Sequence, residues 1–93
     1  MNWELLVNPI VIETLQYYDE EVATSVLAYL EHQLLKMPQP QDHADNQNSL
    51  SGIMTFSRTT HHGVVMIFAQ LDYDSHRIKI LHVQLRNNAF DKL

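Results

Sequence analysis

Two runs with a polar break between them, GVVMIFAQL (63–71) and RIKILHVQL (77–85), do most to limit what this chain can become. The second alternates apolar and polar residues with the period of a half-buried strand. The first is too continuously apolar for an edge and reads as a central strand. Asp72 to His76 form the turn between them, so the pair reads as an antiparallel hairpin. A third run, Ile53 to Arg58, comes just before, and Thr59 to His62 turn the chain. Gly63 follows that turn and is free to take a positive φ. Together the three runs predict a meander.

The first half has a different period. NWELLV (2–7) is short, apolar-rich and ends at Asn-Pro, which predicts a strand. Asn8 supplies an N-cap oxygen, and Pro9 suits the first helical position because its missing N–H has no partner to find there. Ile10, Val11, Thr14, Leu15 and Tyr18 recur at helical spacing. Asp19 can cap a second helix, with Glu20 and Glu21 near its positive end. Val22, Val26, Leu27, Leu30 and Leu34 form one stripe, Lys36 sits in the last turn and Pro38 ends the helix. One bent helix and a helical hairpin both satisfy this pattern. Residues 37–51, MPQPQDHADNQNSLS, read as a mobile loop too short to separate domains. The expected architecture is α+β, in the order β-α-(α)-β-β-β. An antiparallel sheet is packed on one side by an N-terminal helix or helical hairpin.

The 93 residues predict a single domain spanning 1–93. Cysteine is absent, which removes disulfides and thiolate metal sites. No apolar run reaches membrane-spanning length, and Glu4 interrupts the N-terminus where a signal peptide would be apolar. The expectation is a cytoplasmic protein without a membrane partner. The net charge of −5 is unevenly spread. Residues 1–50 carry eight acids against Lys36, while residues 51–93 carry five cations against three acids. A polyanion would meet the C-terminal part and be repelled by the N-terminal part.

Several chemistries lack their residues. No two histidines show the one-face spacing of a helical zinc site, and the adjacent pair His61 and His62 reads first as a solvated turn. No serine sits in a nucleophile motif, and two glycines cannot build a phosphate loop. No metal and no cofactor are expected.

What remains is cationic. In a meander, the ends of the first and third strands lie at one end of the sheet, together with the first turn. That brings Arg58, Arg86, His61 and His62 to a common rim, with Phe90 close behind. Guanidiniums suit a phosphodiester through planar bidentate donation. Histidine moves protons near neutral pH, and an aromatic ring can stack an unpaired base. The set suits binding, and cleavage, of single-stranded RNA without metal, the 2′-hydroxyl serving as nucleophile. Lys79 and His82, on the strand of Arg86, join Phe90 as substrate-binding candidates. Each residue also has a plainer role. The arginines can pair with surface carboxylates, the histidines can be turn or half-buried polar groups, and Phe90 can plug the core edge.

At this point the chain resembles the RelE/ParE superfamily of type II toxin–antitoxin toxins over nearly its whole length. NSLSGIMTFSR is similar to that family's leucine-glycine segment and the strand after it, which ends in a basic residue. The stretch from Gly63 to Phe90 is similar to its glycine-led strand, hairpin and last strand, with an arginine four positions before an aromatic. The resemblance implies a small α+β toxin wrapped by a cognate antitoxin. In one branch the activity is metal-independent endoribonuclease cleavage of messenger RNA on the ribosome; in the other the target is DNA gyrase. It implies catalytic roles for Arg58, His61, His62 and Arg86. Phe90 falls where many members have a catalytic tyrosine, and Met66 stands where an arginine is common. A phenylalanine stacks but transfers no proton. Met66 and the acidity favour a rival reading, a catalytically degenerate RelE-fold binding protein. A homodimer burying the His/Arg end would instead leave a structural domain with no site.

Overall fold

The computed structural model describes residues 3–36, 46–48 and 52–86. The elements are β1 (Glu4–Val7), α1 (Pro9–Tyr17), α2 (Glu20–His32), a 3₁₀ turn (Leu34–Lys36), β2 (Asn46–Asn48), β3 (Ile53–Thr60), β4 (Gly63–Asp72) and β5 (Arg77–Arg86). The strands form one sheet in the order β1-β5-β4-β3-β2.

The N-terminal helical region is two helices. The Asn8 carboxamide accepts the Ile10 amide at 3.1 Å and caps α1. The Asp19 carboxylate accepts the Glu21 amide at 3.0 Å and caps α2. Between them Tyr18 and Asp19 are extended, at ψ 164° and 147°, which no continuous helix allows. Each cap satisfies an amide that the first helical turn leaves without a partner.

β2 to β5 pair antiparallel, as the meander requires, while β1 joins the outer edge of β5 in parallel. The crossover between them lets both helices lie on one face of the sheet. β2 falls inside the expected loop, and its Asn-Gln-Asn sequence has no apolar residue to announce a strand. Backbone pairing with Ile53, Met54 and Thr55 holds it there.

The core lies between helices and sheet. Val11, Leu15, Val22, Val26 and Leu30 meet Phe56, Val65, Ile67, Ile78, Ile80 and Val83. Fully burying such a side chain stabilises by roughly 1.5–3 kcal/mol. The expected stripe on α2 needs one correction. Leu27 points outward at 38% exposure, and Tyr29 takes the inner place. Positions 22, 26, 29 and 30 face the sheet at helical spacing; position 27 is rotated away from them.

β5 holds a bulge. Phe68 pairs with His82 and Ala69 with Ile80, leaving Leu81 as an extra residue. The bulge shifts the alternation of β5 by one. Lys79 and His82, which a regular strand would send to opposite faces, therefore share the face away from the helices.

Beyond the end of β1, the Leu85 amide donates to the Tyr18 hydroxyl at 3.2 Å. This bond ties the C-terminal end of β5 to the junction between the helices. Tyr18→Phe is expected to lower the unfolding free energy by about 1 kcal/mol. The change is read as a shifted urea midpoint at constant slope. An unmoved midpoint would mean that water serves the Leu85 amide equally well.

Candidate functional site

The β3–β4 turn is tight. Thr60 pairs with Gly63 across the two histidines, and Gly63 takes φ 131°, a conformation that favours glycine. The Thr60 hydroxyl donates to the Gly63 carbonyl at 2.9 Å and accepts the His62 amide at 3.1 Å. A turn this short fixes the register of everything above it.

That register corrects one expectation. Residues paired across an antiparallel ladder share a face. Arg58 pairs with Val65, and Val65 with Leu85, so Arg58 projects toward the helices. Arg86 pairs with Val64, one residue out of phase, and projects to the open face. Arg58 and Arg86 share an end of the sheet but not a face. The Arg58 guanidinium carbon lies 5.0 Å from the centroid of the Tyr29 ring. Its Nε is buried without a hydrogen-bond partner among the described residues. The ring contact stabilises the cation by roughly 1 kcal/mol.

His61 and His62 also turn toward the helices. His61 Nδ1 is 3.1 Å from Glu21 Oε1. His62 Nε2 is 3.4 Å from Asp19 Oδ1 and 3.6 Å from Glu21 Oε2. Both imidazoles stand against carboxylates at the start of α2, not beside Arg86. All these groups are exposed, so the pairs contribute little to stability.

The open face carries a row of polar side chains from β5: Lys79, His82, Gln84 and Arg86. Opposite them on β4 stand Gln70, Phe68, Met66 and Val64, in the same order. His82, Gln84 and Arg86 are exposed, and the β4 residues are half-buried. The Phe68 and His82 rings lie 5.7 Å apart at 35°, forming an aromatic step midway along the row. From Lys79 to Arg86 the row spans about 20 Å at the usual strand rise.

The two ends of the row differ. Arg86 takes part in no ion pair among the described residues. Lys79 borders a shallow hollow of about 380 Å³ that is also lined by Asp72 and Asp74. Hydrogen bonds from the Ser75 hydroxyl and amide hold the Asp72 carboxyl below its ordinary range, with a smaller contribution from the Lys79 charge. Lys79 thus faces anions that compete with a phosphate, whereas Arg86 is in no ion pair among the described residues. Arg77, at the Lys79 end, lies 3.5 Å from Glu4. Phe90 lies outside the described residues.

Of the expected residues, the structure brings Lys79, His82 and Arg86 to one face. Arg58, His61 and His62 go to the other. Sequence reasoning passed over Phe68 and Gln84, which complete the row. The adjacent apolar pair Ile80-Leu81 is the signal that could have found them, because it marks the phase slip in β5.

Among the described residues, no helix is long and apolar enough to cross a membrane. No family model matches the chain, and no curated protein matches it. Solved structures do. The toxin–antitoxin complex RelBE2 from Mycobacterium tuberculosis contains a chain similar to this one, with TM-score 0.76 and 15% identity, over 92% of this chain and 100% of that one. The free E. coli toxin RelE, in a doubly arginine-substituted form, is similar with TM-score 0.69 and 9% identity, over 91% of this chain and 84% of that one. A chain of the archaeal RelE-RelB complex from Pyrococcus horikoshii matches with TM-score 0.66 and 16% identity, over 92% of this chain and 97% of that one. The chain has the RelE toxin fold.

Proposed function

We propose that this chain is the toxin of a toxin–antitoxin pair, held by a RelB-like antitoxin, and that it acts on messenger RNA through the open face of its sheet. The likeness to toxin chains solved with their antitoxins, over nearly the whole length of both, supports the pairing. The observation that carries the RNA reading is the exposed row ending in Arg86. Arg86 holds a backbone phosphate and neutralises the charge that builds on it. Phe68 and His82 offer a surface on which an unstacked base rests. The RNA 2′-hydroxyl gives up its proton to water and attacks the adjacent phosphorus, and the bond to the 5′-oxygen of the next nucleotide breaks, that oxygen taking a proton from water. Arg58 is not part of this site. Its guanidinium supports the helix-facing layer beside Tyr29.

A second reading has its own support. His61 and His62 are engaged by Asp19 and Glu21, which favours a protein that binds a partner without cleaving RNA. One experiment separates the two. Purified protein added to a translating extract is expected to cut messenger RNA within the open reading frame, as mapped by primer extension. Intact messenger RNA would remove the ribonuclease reading. Loss of gyrase supercoiling alongside intact messenger RNA would move the target to DNA gyrase.

A further inference from the structure

The β3–β4 turn and the start of α2 assemble a set of metal-ligand side chains that the RNA site does not use. Asp19, Glu21 and His62 each present one ligand atom, and the three atoms lie within 4.8 Å of one another. They come from two elements far apart in sequence, and no local motif announces them. The geometry points to a divalent-cation site here, with Zn²⁺ as the cation it fits best.

Ligand chemistry and spacing carry the inference. A neutral imidazole with two carboxylates is a borderline nitrogen–oxygen set that suits zinc better than the all-oxygen cations. Bonds of about 2.0–2.1 Å to a tetrahedral zinc place neighbouring ligand atoms roughly 3.3–3.4 Å apart. His62 Nε2 already stands 3.4 Å from Asp19 Oδ1 and 3.6 Å from Glu21 Oε2. Small rotations would therefore complete three corners, and water would fill the fourth. The ligands are also held in place. The α2 cap fixes Asp19 through the Glu21 amide, and the Thr60 hydroxyl fixes the His62 backbone. His61 Nδ1 lies 3.1 Å from the second Glu21 oxygen and orients that carboxylate from outside the ligand set. Zinc in this position clips the β3–β4 hairpin to the N-terminus of α2. The site is exposed on all three residues, so the ion enters without any opening of the fold.

Isothermal titration of chelator-treated protein with zinc chloride tests this without any RNA or activity readout. One saturable site per chain is expected. His62→Ala is expected to abolish it. Asp19→Asn keeps a good N-cap oxygen and the fold, and is expected to weaken binding by about tenfold or more. His32→Ala, at the far end of α2, is expected to leave binding unchanged. Nitrogen-15 shifts of the His62 ring should move on titration. Absence of saturable binding, or binding that survives both His62→Ala and Asp19→Asn, would overturn the assignment. Messenger RNA cleavage is measured separately, so either proposal can fail while the other stands.

Discussion

Arg86→Ala is expected to abolish growth inhibition by the induced protein and to slow messenger RNA cleavage by about a hundredfold or more, the usual effect of removing one donor from a developing oxyanion. Arg86 is exposed at the end of β5 and in no described ion pair, so its loss should leave circular dichroism and the melting temperature unchanged. Arg86→Lys keeps the charge without the planar fork and should recover part of the rate. The informative control is Arg58→Ala. Arg58 stands at the same end of the sheet but on the helix side, against Tyr29. Its loss should lower the melting temperature while toxicity persists in cells that keep the protein folded. The opposite outcome, toxicity kept without Arg86 and lost without Arg58, would move the working surface to the helix side.

Phe56→Ala should have the largest effect on stability, about 3–5 kcal/mol by the usual cost of truncating a buried phenylalanine. Phe56 is 1% exposed at the centre of the helix–sheet interface, and its ring lies 6.3 Å from that of Tyr29. A domain of this size holds only about 5–10 kcal/mol in total, so the variant should populate unfolded chain at growth temperature. Chemical denaturation measures the loss directly. A cost below about 1 kcal/mol would mean that neighbouring side chains close the gap, and the packing described for this layer would be wrong. Because Phe56 also supports the Tyr29 ring beneath Arg58, the substitution should expose both.

The fold was legible where local chemistry decides it. Asn8 and Asp19 each mark a helix start, and both caps are present. The period-two runs mark β3, β4 and β5. The site was only half legible. Connectivity puts the ends of β3 and β5 together, which is why Arg58 and Arg86 share a rim. Which face each takes depends on odd or even register, and a single residue in the turn reverses it. A turn at Thr59 to His62 differs from the observed Thr60–Gly63 closure by two residues of register, which leaves the faces unchanged. It is the odd–even count along the paired strands, not nearness of the strand ends, that sets Arg58 and Arg86 apart. The approach of Asp19 and Glu21 to His61 and His62 is tertiary, set by how α2 lies across the sheet, and no spacing in the chain encodes it. β2 was silent because an edge strand held by backbone pairing needs no apolar side chain.

The parallel pairing of β1 with β5 dictates an order of assembly. Glu4 pairs with Arg77 and Val7 with Ile80, so the strand synthesised first finds its seat last. While the ribosome is still making the meander, the two helices have no sheet to cover and their inner residues remain wet. The C-terminal hairpin must form before the N-terminal third can dock, a non-local closure of the slow kind. A nascent chain halted before Arg77 therefore has nothing against which to place its beginning.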